Sequence, residues 1–205
     1  MAMRQLLCHR HVLVRFAALY GIALVLCYVA WAAAYAWLPE GILRGRLGSA
    51  ILAGEDAAPT VMLEFLRIAA MNTILMLLLV ILPNRWLEVG NGYPLGYVPP
   101  LLWSILYGLL LGSNSFTIPS PTRLAPGLGA WGRSGFYEIA AYCLAAASTY
   151  GIATARAPHL LSMTATPIVP RPDWRRRVHW PGLAAAWALL LASCWWEAYR
   201  IVMKL

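Results

Sequence analysis

The chain has 205 residues, of which 61% are hydrophobic and only 12% charged, about half the charged share of an ordinary soluble domain. The formal net charge of +8 would suggest nucleic acid in a soluble protein. Here the basic residues lie between long apolar runs and at the amino end, where they act as topogenic charges and lipid-headgroup contacts, so no nucleic-acid partner is expected.

About 20 apolar residues cross a hydrocarbon core, and candidate spans follow from that length. The first runs from about residue 16 to 38, from Phe16 to Leu38, closed by Pro39 and flanked by Trp31 and Trp37. It exceeds the apolar core of a cleaved signal, so it is read as a retained helix. The connection after it repeats Leu43, Leu47 and Ile51 every four residues beside Ile42 and Leu52, which predicts a short interfacial amphipathic helix. The second span, about 61–82, carries Glu64 and Arg67 three apart on one helical face, close enough to pair. The third, about 93–111, opens with three prolines between Pro94 and Pro100. Its regular helix is therefore expected near Pro99, after a bent or re-entrant approach shielded by protein. The fourth covers about 134–155 and the fifth about 180–203. The expectation is a single all-α integral membrane domain, a bundle of five transmembrane helices.

Counting Arg and Lys gives the orientation. With the amino end inside, the inner segments hold Arg4, Arg10, Arg15, Arg85, Arg156, Arg171, Arg175, Arg176 and Arg177, nine in all, against Arg44, Arg46, Arg67, Arg123, Arg133, Arg200 and Lys204 outside. The basic cluster just before the fifth span weighs most. A prokaryotic cytoplasmic membrane protein with its carboxyl end outside is expected.

The candidate site centres on Glu138, read as the lone acid of the core, with no second acid in another span assigned to it. Ser134 and Tyr142 lie one turn before and after it on the same face, and Arg133 is near enough to pair if the helix start bends. Asn72, inside the second span, is an attractive interhelical partner for it, since a buried amide needs one; a bond from Asn72 to a nearby carbonyl is the alternative. Gly108 and Gly112 form a GxxxG pair, and Gly151 closes a run of small residues after Ala141 and Ala145. Such positions let backbones approach, and packing within one chain is favoured over dimerisation. Cys8, His9 and His11 lie within four residues, but no second pair follows, so no metal site is expected. No GxSxG, HExxH or Walker loop occurs. No cofactor and no catalytic residue is assigned, and the chain is read as a non-enzyme.

Three segments taken in order, "FLRIAAMNTILMLLL" (Phe65–Leu79), "NGYPLGYVPPLL" (Asn91–Leu102) and "SGFYEIAAYCLAAASTYGI" (Ser134–Ile152), resemble the stage II sporulation protein M family. Asn72, Asn91, Gly92, Gly96, Gly135 and Glu138 fall on that family's motif positions, over about residues 61–155. Arg133-Ser134 stands where the family has Pro-His, one Asn rather than two occupies the second span, and Ala140 replaces a proline. The resemblance implies membrane residence and partners among membrane-complex and peptidoglycan-remodelling proteins. From all this the expected function is a scaffold or accessory subunit of a larger membrane complex, contacting lipid and either other integral membrane proteins or copies of itself. The alternative is a transporter or permease component with a polar route around Glu138 and Asn91.

Overall fold

The computed structural model describes residues 3–46, 58–116, 121–162 and 164–203. A short α1 (Met3–Leu7) precedes α2 (Val12–Trp37), which has no charged residue beyond Arg15. Next comes α3 (Val61–Leu75), capped by the Thr60 hydroxyl, which accepts from the Leu63 N–H at 3.3 Å. It continues without a break through a π-helical stretch, Met76–Ile81, into α4 (Leu82–Trp86). The wider turn lies directly before Pro83, which has no N–H to return to the preceding turn. The second span is thus longer than its apolar run suggests, reaching Trp86.

After α4 the chain forms β1 (Leu87–Val89), turns at Gly90 and Gly92, both with positive φ, and returns as β2 (Tyr93–Pro94). One 3-10 turn, Leu95–Tyr97, leads into α5 (Val98–Ser113), with Pro99 and Pro100 in its first turn. Prolines are tolerated there, so the helix starts where the sequence predicts, and Pro94, Gly96 and Tyr97 of its approach are buried in protein. A second 3-10 turn, Leu128–Gly132, precedes α6 (Gly135–Ser148). Then follow β3 (Ala155–Ala157), β4 (Thr166–Pro167), the single turn α7 (Trp174–Arg177) and α8 (Trp180–Met203).

The chain is mostly helical, but it is not purely α. A four-stranded sheet in the order β2-β1-β3-β4 ties two connections together. β1 pairs antiparallel with β2 and parallel with β3, Glu88 facing Arg156. Both connections emerge at the same end of the bundle with backbone groups that no helix satisfies, and pairing satisfies them. The Arg156 Nε donates to Glu88 Oε1 at 2.6 Å across that pair.

Among the described residues, three helical stretches are long and apolar enough to cross a membrane: Val12–Trp37, Val61–Trp86 and Leu95–Ser113. The predicted fourth span is shortened. α6 has 14 residues, on the order of 21 Å, because the chain turns at Gly151, with φ +77°, and residues 155–157 join the sheet instead. α8 has 24 residues, but Glu197, Arg200 and four tryptophans dilute its apolar character. Of the predicted interfacial helix, residues 41–46 form successive turns with Gly41 and Gly45 at positive φ; residues 47–57 lie outside the described residues.

α6 is the central post. All of it is buried except Tyr137 and Leu144, seven apart on one seam. α2, the π-helical stretch, α5 and α8 pack around it. The GxxxG pair seats α5 against α2: a Cβ on Gly108 would stand 2.3 Å from the Cys27 carbonyl, and one on Gly112 2.5 Å from that of Trp31. That packing is within the chain, and its register makes α2 and α5 parallel.

Candidate functional site

The carbonyls ending a helix have no partner within it, and in α6 that end is enclosed by protein. Each of its last four has a donor. Thr149 donates through its N–H to Ala145 at 3.1 Å and through its hydroxyl at 2.8 Å. Asn84 Nδ2 donates to Ala146 at 3.0 Å. Arg15 donates to Ala147 through Nε at 3.1 Å and Nη2 at 2.8 Å. The His179 N–H donates to Ser148 at 2.9 Å. Three separate segments thus meet at one helix end beside its own capping residue, and a cation rests against its negative dipole. Asn84, fully buried, also donates to the Thr149 hydroxyl at 2.8 Å and accepts the Gly96 N–H at 2.8 Å. Gly96 is required at that contact, since a Cβ there would lie 2.1 Å from the Val80 carbonyl and 2.5 Å from Asn84 Oδ1.

Midway along α6, the Tyr142 hydroxyl donates to Asn72 Oδ1 at 3.0 Å, and Asn72 Nδ2 reaches Cys194 Sγ at 3.4 Å. Asn72 therefore joins α3 to α6 and α8 one turn away from Glu138 and does not bond Glu138 itself. The crevice beside Tyr142, lined by Leu75, Leu79, Val80, Pro99, Pro100 and Trp103, has barely the room that one water needs.

At the first turn of α6 Glu138 is 8% exposed, and it is not the lone acid of the core. Glu197 of α8 lies within side-chain hydrogen-bond reach of it, and Ser134 reaches both. Glu138 Oε1 is buried and meets no ordinary donor. The Tyr107 hydroxyl, also buried without a partner, belongs to the same end: its ring lies where a Cβ on Gly135 would come within 2.3 Å. Glu64 is nearby, 2% exposed, accepting the Ala58 N–H at 2.8 Å and facing Arg67 at 3.7 Å as its spacing predicts.

The other expected site residues are dispersed. Asn91 is exposed in the β1–β2 turn, and its carbonyl accepts from Arg4 at 3.3 Å; with Gly92 beside it at φ +98°, it shapes a hairpin. The Arg133 guanidinium lies over the Phe116 ring, 5.1 Å from its centroid. Gly151 serves the turn after α6. The sequence reading missed Glu197, Asn84, Arg15 and Arg123. Arg123 donates to the Ala34 and Leu38 carbonyls at 2.6 and 2.7 Å, closing the end of α2. Signals existed for two: Glu197 lies within the predicted fifth span, and Asn84 follows a proline at the end of a leucine run.

No protein-family model, no curated protein and no solved structure matches this chain. Its function is argued from the site.

Proposed function

We propose that this protein is a non-enzymatic integral membrane scaffold or accessory subunit of a larger membrane complex, built as five crossings of a prokaryotic cytoplasmic membrane with the amino end inside and the carboxyl end outside. The observation that carries the reading is the closed state of α6: its last four carbonyls are all bonded, three of them by donors from α2, α4 and the segment before α8, and the crevice beside Tyr142 is too tight for cargo. A post fixed in this way holds the surrounding helices in one arrangement, and rigid outward faces are what an assembly partner needs. The resemblance to stage II sporulation protein M points the same way. Mild extraction of the tagged protein from its own membranes, followed by crosslinking and sizing, tests it. A defined oligomer or a stoichiometric membrane partner is expected; a monomer with nothing attached refutes it.

The carboxyl pair favours a second reading, a proton-linked transport component. Two carboxyl groups within reach of each other inside a bundle are a unit that carriers use. Glu138→Gln keeps the shape and leaves an amide donor toward Glu197. Under the scaffold reading the variant assembles as the wild type does. Under the transport reading it assembles and loses proton-coupled flux in proteoliposomes.

A further inference from the structure

The seam of α6 that no helix covers opens into a lateral groove. One wall is the start of α2, with Val12, Leu13 and Val14; the other is the start of α8, with Pro181, Gly182 and Ala185; Leu144 forms the floor. The mouth carries Arg10, His11 and His179. Polarity changes in one direction along it. The Arg10 guanidinium and the two imidazoles stand at the helix starts, aliphatic walls follow for the next turn, and the exposed Tyr137 lies seven residues further along the seam. Beside the mouth, α7 carries the exposed Arg175, Arg176 and Arg177, of which Arg176 engages Asp173 at 3.3 Å. Trp174 and Trp180, 40% and 49% exposed, mark this level as an interface.

We propose that this groove is a binding site for an anionic phospholipid, its phosphate at Arg10, His11 and His179 and one acyl chain lying over Leu144 toward Tyr137. Any lateral groove in a bilayer meets acyl chains. A cationic mouth on an aliphatic wall adds a preference for negative headgroups, because each basic side chain near the surface attracts an anionic lipid. The site rests on the chain's residence in a membrane, which carbonate extraction tests separately, and is independent of whether the protein is a scaffold or a carrier.

The experiment uses the full chain in detergent, titrated with dioleoylphosphatidylglycerol, with dioleoylphosphatidylcholine or with inorganic phosphate, and read by native mass spectrometry and thermal shift. Phosphatidylglycerol is expected to bind with roughly tenfold preference over phosphatidylcholine and to raise Tm saturably. The double variant R10Q/H11Q, at two exposed positions, is expected to lose that preference while still binding both lipids weakly, and Arg10→Lys to retain it. Ala185→Trp, which fills the groove, is expected to weaken both lipids. Equal binding of the two lipids by the wild type overturns the proposal whether or not the variants fold. So does an undiminished preference in a folded R10Q/H11Q, or displacement of phosphatidylglycerol by inorganic phosphate, which would identify a free-anion site instead.

Discussion

Replacing Asn84 by Ala tests whether the enclosed end of α6 is held by its side-chain partners. The side chain is completely buried and makes three hydrogen bonds, to the Ala146 carbonyl, the Thr149 hydroxyl and the Gly96 N–H. Truncation removes all three. The Gly96 N–H is left without its acceptor, and Ala146 keeps only the longer bond from the Thr149 hydroxyl at 3.3 Å. At about 0.5–1.5 kcal/mol each the loss is roughly 2–4 kcal/mol; interhelical bonds in membranes average about 0.6 kcal/mol, which favours the lower end. For a chain of this size that is a fall in Tm of about 5–15 °C. Thermal unfolding in mild detergent, followed by circular dichroism, measures it. Asn84→Asp is the sharper control, since it keeps the acceptor for Gly96 and sets a second acceptor against the Ala146 carbonyl; it should be at least as destabilised as the Ala variant. A shift below about 2 °C for either variant would refute the claim that Asn84 organises this end of the bundle.

Gly108→Ala drives a methyl into the Cys27 carbonyl at 2.3 Å, a backbone atom that cannot step aside, and should cost about 1–3 kcal/mol with the same readout. Arg123→Gln removes the cation from the Ala34 and Leu38 carbonyls and from the Tyr35 ring, 4.8 Å from its centroid; a loss of about 1–3 kcal/mol is expected, reduced by less than half in high salt because the contact is partly buried. Arg156→Gln breaks a pair in which the Arg156 side chain is 57% and the Glu88 side chain 13% exposed, and should cost about 1 kcal/mol, measured in the same assay.

The apolar runs were legible because a bilayer demands length and hydrophobicity in one place, and Phe16–Leu38 and the start of α5 after Pro94 stand close to where the sequence puts them. α6 was misjudged at its far end for a physical reason. Alanine, threonine and tyrosine suit an apolar run, but Gly151 adopts a left-handed turn and Ala155–Ala157 gain ladder bonds that a lone helix end does not offer. The sheet was invisible because its strands are two or three residues long, too short for any alternation to register. Glu138 is legible by its cost inside an apolar run, and Glu197 is equally legible within the predicted fifth span, 180–203, although no acid there is assigned to it. Arg15 and Arg123 were counted as topogenic charges, whereas each closes helix carbonyls. Removing one from either side turns nine against seven into eight against six, so the orientation argument keeps its sign and its margin.

A 14-residue helix does not by its own length span a hydrocarbon core of about 30 Å, yet the sheet constrains where it delivers the chain. β1 pairs with β3 residue for residue, Leu87 with Ala155 and Val89 with Ala157. The chain between them leaves through α5 and returns through α6, so this excursion begins and ends at one face whatever the length of the returning helix. The turn Leu128–Gly132 lies on the excursion, before α6 starts, and residue 161 lies beyond β3, after it ends. Leu128 and Leu161 are 82% and 87% exposed, so cysteine at either position should be reachable by a membrane-impermeant maleimide in a Cys8→Ser background, the other three cysteines being buried. In sealed vesicles of one orientation, Leu161→Cys is expected to label from the cytoplasmic side and Leu128→Cys from the opposite side. Labelling of both from one side would mean that α5 and α6 form a re-entrant hairpin, and the chain would then cross the membrane three times.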